Sequence, residues 1–224
     1  MHNVTNLALK TLHPELRPIP TNAVRAGQAD TIEQAIRLLL TASGADLNDP
    51  HLAETPRRAA EAYSGELLSG YRIDASDVLK TFEEPSDEPV LVRRIPFYSL
   101  CAHHVLPFFG TASVVYKPDG KVLGLSKIGR LIDCFARRLQ VQERLTREIA
   151  DALQGHLKPK ATVVVMRAEH MCMSMRGIRH VGAETVTCAV RGTSEADIEE
   201  CRNLMQMILG RPVGTAEGAC HDTA

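Results

Sequence analysis

The segment Thr111-Ala112-Ser113-Val114-Val115-Tyr116-Lys117-Pro118-Asp119-Gly120-Lys121-Val122-Leu123-Gly124-Leu125 carries the clearest fold signal in the chain. Residues 111–116 are rich in β-branched and aromatic side chains, a composition typical of a strand. Residues 117–120 have the composition of a turn, and the apolar pattern resumes at 122–125. We therefore expect a hairpin, which makes at least part of the sheet antiparallel.

Strand and helix patterns continue on both sides of this segment. Strand character begins upstream at Val90, and two short β-rich runs follow downstream at 161–166 and 184–190. Amphipathic helices are predicted after caps at Thr31, Thr55 and Ser126, with further helices at about 145–153 and 194–209. Helices flank the chain and strands fill its middle. This order predicts an α+β fold, with an antiparallel sheet, helices packed on one face and an N-terminal helical extension.

Changes in composition divide the chain into four segments. Residues 1–29 contain three prolines and little periodicity, so we expect a flexible N-terminal arm. A helical region follows at 30–89 and a strand-rich domain at 90–210. We expect residues 211–224 to form a loose C-terminal tail, because the last helix ends at Gly210 and is followed closely by Pro212.

Composition limits the classes of function. The chain has 224 residues, 44% of them hydrophobic, with a formal net charge of -1. A nucleic-acid-binding protein is not expected, because the overall charge is nearly neutral. No apolar run is long enough for a membrane span, and we find no signal peptide pattern. The six cysteines lack the regular spacing of a disulfide framework. We therefore expect a cytoplasmic protein whose cysteines are free or bind metal.

Two short motifs carry potential metal ligands. The first is Cys101-Ala102-His103-His104 and the second is Glu169-His170-Met171-Cys172, and each follows a strand-like run. Cysteine and histidine are the usual ligands of zinc. Each motif alone also fits a buried cysteine beside ordinary polar histidines. Together they predict one site, if the two strand ends lie side by side.

The favoured ligands are Cys101, His104 and Cys172, because this choice leaves two residues between the first two ligands. Spacing alone leaves open which histidine is a ligand and which acts as acid or base. Three protein ligands leave a position for water, whose pKa zinc lowers from about 15.7 to about 7. His103 and His170 are then candidate proton carriers, because an unperturbed histidine titrates near pH 6.5.

Basic and acidic residues elsewhere predict a nucleotide site. Lys127 and Arg130 lie on the first turn of a predicted helix, where cations and exposed amides suit a polyphosphate. Arg176 would add a third cation if it lies near Cys172. Glu143 begins another helix, where it is either a partner of the helix dipole or an acceptor for the N1–H and 2-amino group of guanine.

Longer motifs containing these residues resemble the GTP cyclohydrolase I family. The similar segments are Cys101–Phe108, Gly124–Lys127, Arg138–Thr146 and His170–Gly177, with Thr55-Pro56-Arg57-Arg58 upstream. They occur in the family's order, and the resemblance extends from about Thr31 to Gly192. The fold implied is the tunnelling fold (T-fold), with residues 90–210 as its catalytic domain. The family's assembly is a toroidal homodecamer with each site at a junction of subunits.

The resemblance also implies roles for individual residues. Cys101, His104 and Cys172 match the zinc ligands, while His103 and His170 match the catalytic histidines. Ser126 matches a serine that contacts the substrate and assists rearrangement of the sugar. The remaining matches are substrate contacts: Gln142 and Glu143 for guanine, and Lys127, Arg130, Arg176 and Arg58 for the triphosphate.

The reaction implied is hydrolysis of GTP at C8 of guanine, with release of formate. Rearrangement of the ribose and ring closure then give 7,8-dihydroneopterin triphosphate, an early intermediate of tetrahydrofolate and pterin biosynthesis. Two alternatives remain open. One is a non-catalytic zinc protein that binds a nucleotide or a pterin as a sensor. The other is a cyclohydrolase of the same fold that acts on a related purine.

Overall fold

The computed structural model describes residues 27–85 and 88–192, together with residues 196, 199, 200, 203 and 206. The tail predicted at 211–224 and nearly all of the arm predicted at 1–29 lie outside the described residues. So does most of the helix predicted at 194–209, although its five described residues are helical. The chain divides into two compact units between Glu66 and Leu67.

The N-terminal unit contains a pair of contacting helices, α1 (Gln28–Ala42) and α2 (Thr55–Ala62). The cap predicted at Thr31 is wrong, because α1 begins three residues earlier, with Gly27 at its N-cap position. Thr31 lies inside the first turn, where both its amide and its hydroxyl donate to the Gly27 carbonyl. Thr55 is the first residue of α2 and Glu54 precedes it as the N-cap.

The second unit contains the strands and the remaining helices. The π-helical turn (Tyr63–Leu67) that follows α2 spans the division between the two units, and a 3-10 turn (Ser69–Arg72) comes next. In chain order come α3 (Ala75–Val78), β1 (Thr81–Glu83), β2 (Val90–Cys101), β3 (Pro107–Lys117), β4 (Lys121–Leu123), α4 (Leu125–Ala136), β5 (Leu139–Gln140), α5 (Gln142–Leu157), β6 (Ala161–His170), α6 (Met171–Ser174) and β7 (Glu184–Gly192). Among the described residues, no helix has both the length and the apolar character needed to cross a membrane.

The main sheet has five strands in the order β5-β2-β3-β6-β7. The pairs β2–β3, β3–β6 and β6–β7 are antiparallel, while β5 adds to β2 as a short parallel strand. The sheet is therefore mixed, and the expected antiparallel pairing holds for four of its five strands. Gly110 in β3 lies so close to β6 that a side chain there would collide with the Arg167 carbonyl.

The hairpin predicted for residues 111–125 is wrong. Both strands exist, but β3 is central and its two edges are already paired with β2 and β6. The backbone of β4 therefore has no free edge of β3 to join. It pairs antiparallel with β1 in a separate two-stranded sheet. A side-chain hydrogen bond still joins the two segments, in which the Leu123 amide donates to the Tyr116 hydroxyl over 3.1 Å.

The boundary predicted between residues 89 and 90 stays a prediction, and the two compact units divide earlier in the sequence, between Glu66 and Leu67. The stretch after Leu67 is tied to the sheet-bearing unit by hydrogen bonds and by pairing of β1. The Gly70 amide donates to the Arg137 carbonyl, and the Arg138 guanidinium donates back to the Gly70 carbonyl, each over 3.0 Å. These contacts are distant in sequence, which explains why a change in composition did not reveal them.

Two apolar clusters lie on opposite faces of the main sheet, because neighbouring residues of a strand point to opposite sides. The larger cluster joins the sheet to α4 and α5, and it includes Val114, Tyr116, Leu131 and Ile149. The smaller cluster contains Val115, Ala161, Val163 and Val165, with Leu91 packed against it. α4 and α5 thus share one core on one face of the sheet.

Strand directions determine where the functional motifs lie. Both β2 and β6 are antiparallel to β3, so they run in the same direction and end at the same edge of the sheet. Cys101 is the last residue of β2 and His170 is the last residue of β6. The fold therefore brings the two predicted ligand motifs to the same edge of the sheet, on the two strands that flank β3.

Candidate metal centre and surrounding site

The first half of the site is a tight turn at the end of β2. The Cys101 amide donates to the Leu106 carbonyl, and the Val105 amide donates to the Cys101 carbonyl, each over 2.8 Å. Val105 adopts φ 56°, a left-handed conformation that is unfavourable for a β-branched residue. Within this turn Cys101 is buried, whereas His103 and His104 are exposed.

The second half is the one-turn helix α6 at the end of β6. Cys172 lies in this helix and is half-buried. The Ser174 hydroxyl donates to the His170 carbonyl over 3.3 Å and ties the helix to the strand end. Cys172 therefore has a defined position relative to β6.

The side chains of Cys101, His104 and Cys172 form one cluster. One ligand atom from each lies within 4.8 Å of the other two. Cys101 Sγ and His104 Nδ1 are 3.9 Å apart. Neighbouring ligands of a tetrahedral zinc ion, with bonds of about 2.0–2.3 Å, are separated by about 3.5–3.8 Å. Two thiols and one imidazole at this spacing fit zinc, and the set of three protein ligands is one that catalytic zinc sites use.

His103 belongs to the same turn but not to this cluster. Its Nδ1 also lies 3.9 Å from Cys101 Sγ. It does not, however, fall within the group of three that includes Cys172. The two histidine rings are edge-to-face, with centroids 6.2 Å apart. The geometry thus favours His104 over His103 as the third ligand and leaves the His103 imidazole beside the cluster.

His170 is held by two different contacts. Its Nε2 lies 2.7 Å from Gln142 Oε1, and its ring stacks on Phe108 with a centroid distance of 4.6 Å and an interplanar angle of 2°. Phe108 and His170 are direct partners in the β3–β6 register. Burial lowers the pKa of His170, and the nearby Glu143 carboxylate opposes that effect. The neutral imidazole is therefore favoured.

The cluster also has a charged neighbour. Burial, and after it the adjacent Cys101 thiol, raise the pKa of the Cys172 thiol in the metal-free protein. The Arg176 guanidinium has the opposite effect on this pKa, which locates Arg176 close enough to interact with the cluster. Arg176 and Glu143 are both exposed, so each is accessible to a ligand.

The other predicted site residues lie on two helices. Ser126 and Lys127 lie in the first turn of α4 and Arg130 lies in the second, and Gly124, not Ser126, is the N-cap. Across the described part of the chain, no hydrogen bond or ion pair joins these three residues to the metal cluster. Arg58 is exposed on α2 in the N-terminal unit. The structure thus brings together the metal ligands, both histidines, Gln142, Glu143 and Arg176.

Reasoning from the sequence did not identify the support behind His170. Phe108 and Thr146 stand in segments that resemble the family, but no sequence pattern indicates a role for them or for Thr187. Both threonines hydrogen-bond to Gln142, and they lie on α5 and β7. The pairing of β6 with β7, which brings Thr187 to Gln142, leaves no signal in local spacing.

Comparison with known proteins gives a consistent result. The family model described as GTP cyclohydrolase I matches residues 32–209. A protein named GTP cyclohydrolase 1 from Lysinibacillus sphaericus (strain C3-41) is 48% identical over 179 residues, which cover 79% of this chain and 94% of that protein. Proteins of the same name from Mycolicibacterium paratuberculosis (strain ATCC BAA-968 / K-10) and Mycolicibacterium vanbaalenii (strain DSM 7251 / JCM 13017 / BCRC 16820 / KCTC 9966 / NRRL B-24157 / PYR-1) are 49% and 50% identical. The alignments cover 84% and 79% of this chain and 94% and 89% of those proteins, respectively. The chain is therefore an enzyme of the GTP cyclohydrolase I family.

Proposed function

We propose that this enzyme hydrolyses the guanine ring of GTP, releases formate and forms 7,8-dihydroneopterin triphosphate. Opening of the imidazole ring and removal of the formyl group each consume one water, and closure of the new ring releases one. The observation that carries the proposal is the Cys101, His104 and Cys172 cluster beside two histidines, in a chain that belongs to this family.

Cys101, His104 and Cys172 would hold a zinc ion. Zinc at this site supplies the Lewis acidity that makes water a nucleophile near neutral pH. The thiols must lose their protons when the metal binds, so we expect proton release on zinc loading.

His103 and His170 are the proposed proton carriers. The neutral form of His170, favoured by its burial, can accept a proton and later return it to N7 or to the opened ring. His103 lies on the exposed side of the cluster, where substrate can reach it. Ser126 is proposed to move a proton during the later rearrangement of the ribose.

The substrate contacts are assigned by charge. Glu143 is exposed and lies near His170, so its carboxylate is available to accept hydrogen bonds from the N1–H and 2-amino group of guanine. Arg176 interacts with the same cluster and is proposed to bind the triphosphate, together with Lys127, Arg130 and Arg58. Each charge-assisted hydrogen bond of this kind contributes about 1.5–3 kcal/mol.

The proposed assembly is a homodecamer with its sites at subunit junctions. Among the described residues no hydrogen bond or ion pair joins Ser126, Lys127 or Arg130 to the metal cluster, as expected if a neighbouring subunit completes each site. We further propose that residues 90–210 form the catalytic domain of a cytoplasmic enzyme.

The test is turnover of GTP by zinc-loaded protein, with formate and pterin fluorescence measured together. Cys172→Ser should lose both zinc and activity, whereas Cys188→Ser, the same change at an exposed cysteine of β7 outside the cluster, should lose neither. Absence of both products from the unmodified protein would reject the proposal. Stable GTP binding without turnover would favour the sensor instead. Preferential turnover of another purine nucleotide in competition with GTP would favour a related cyclohydrolase.

A further inference from the structure

The Gln142 side chain uses all of its polar atoms on protein partners. It is 1% exposed. Its Nε2 lies 3.2 Å from the Met166 carbonyl, 3.0 Å from the Thr185 carbonyl and 3.1 Å from Thr187 Oγ1. An amide nitrogen has two hydrogens, and three acceptors already lie within hydrogen-bonding distance of this one. No donor of this side chain remains available to a guanine ring.

These partners also determine which way the amide points. The two carbonyl oxygens can only accept hydrogen bonds, so the NH₂ group must face them. The reversed amide would direct its oxygen at two carbonyl oxygens, and the buried NH₂ group would lose both of these acceptors. Oε1 therefore faces His170 Nε2, at 2.7 Å. Because Oε1 accepts, the His170 Nε2 must carry hydrogen, and in the neutral ring Nδ1 carries the lone pair.

A chain of hydrogen bonds through two threonines fixes Gln142. Thr146 Oγ1 donates to the Gln142 backbone carbonyl over 2.8 Å and lies 2.6 Å from Thr187 Oγ1. Since the Thr146 hydrogen is already used, Thr187 donates to Thr146 and accepts from Gln142 Nε2. Thr146 is 1% exposed. The amide is thus held by β6 and β7, and Thr146 of α5 supports it by hydrogen bonds to Thr187 and to the Gln142 backbone.

We propose that Gln142 is a positioning residue that holds His170 in the Nε2–H tautomer, with Nδ1 as the nitrogen that exchanges a proton during the reaction. Stacking on Phe108 fixes the plane of the ring, and the Gln142 hydrogen bond fixes its rotation within that plane. The full set of protein partners favours this role over the direct guanine contact that the family resemblance implies for Gln142. This proposal rests on the proposed function in one respect, which is that His170 moves a proton during the reaction.

The first experiment is neutron diffraction of deuterium-exchanged, zinc-loaded crystals at pH 8. We expect deuterium on His170 Nε2 and none on Nδ1. Deuterium on Nδ1 with a bare Nε2 would overturn the proposal. This measurement needs no turnover and no variant, so it gives an answer even if the protein does not hydrolyse GTP. The assignment of the tautomer and the proposed function can therefore each be refuted without the other.

The second experiment uses Gln142→Leu, which keeps the approximate volume and removes the hydrogen bonds. We expect kcat to fall at least about a hundredfold, with zinc content unchanged and KM for GTP changed less than about threefold. The matched control is Gln154→Leu, a glutamine of the same helix whose amide bonds the Pro159 carbonyl away from the site, and its kcat should be unchanged. A large rise in KM at unchanged kcat would show a guanine contact and refute the positioning role.

Discussion

The two proposed catalytic histidines are held in very different ways. The turn region, residues 101–106, carries His103 on an exposed turn that contains a left-handed Val105. The His170 region, which comprises Phe108, Gln142 and His170, has a stacked ring, a short hydrogen bond and a buried amide. One histidine is thus preorganised by the sheet, while the other depends on whatever binds beside it.

This difference indicates that the two regions of the site have different roles. A residue that must transfer a proton in a fixed geometry benefits from rigid support, because misplacement weakens catalysis. A turn that must admit a metal ion and a substrate benefits from freedom before they bind. The strain at Val105 lies in the less constrained half, so metal binding, more than packing, is expected to fix that half.

The largest expected effect comes from removing the support of His170. Phe108→Ala should lower the free energy of unfolding by about 3–5 kcal/mol, because Phe108 is fully buried and its loss leaves a cavity. Urea unfolding at fixed protein concentration measures this change. The control is Phe109→Ala, the neighbouring aromatic residue, which is only half-buried and should cost less than half as much. Equal losses would show that the His170 region is no more strongly packed than its surroundings.

Metal removal should affect the two regions unequally. After treatment with a chelator, amide hydrogen exchange of residues 102–105 should accelerate by about tenfold or more, because binding to the folded state suppresses local opening. Residues 166–170 should change by less than about threefold, since the β3–β6 ladder persists without metal. Hydrogen exchange with mass spectrometry gives both values in one experiment. Similar acceleration in both segments would contradict the proposed division.

The smallest expected effect tests the strain in the turn region. Val105→Gly should raise the free energy of unfolding of the metal-free protein by about 0.5–1 kcal/mol. The left-handed conformation costs a side chain about 1–2 kcal/mol, and the greater unfolded-state freedom of glycine offsets roughly 0.5–1 kcal/mol of that gain.

The control for this change is Val181→Gly, at a valine that is 83% exposed and has an ordinary φ. Without strain to relieve, this substitution should lower stability by about 0.5–1 kcal/mol. Thermal unfolding of both metal-free variants measures the difference. The same sign of effect at both positions would mean that Val105 stores no strain.

Much of the site was predictable because its chemistry is carried by local motifs. Two cysteine and histidine pairs at the ends of β-rich runs predicted a metal cluster, and the structure brings Cys101, His104 and Cys172 together. The support of His170 was not predictable in this way. Gln142 and Thr187 lie on different elements, and only the pairing of β6 with β7 connects them.

The fold shows the same limit. The strand compositions of residues 111–116 and 122–125 indicated extended structure, and both segments contain strands. Their partners could not be inferred, since a turn between two strands does not reveal that β2 and β6 already occupy both edges of β3. Pairing depends on contacts distant in sequence, whereas composition and periodicity report on local ones.

The position of β3 between β2 and β6 has a consequence for how the enzyme matures. Cys101 and Cys172 meet only when the three strands are aligned, and the segment that connects β3 to β6 includes both α4 and α5. During synthesis, the nascent chain cannot assemble the complete ligand set until nearly the whole sheet has emerged from the ribosome. Binding of the proposed zinc ion would therefore be a late event, because a partly folded chain lacks the complete ligand set.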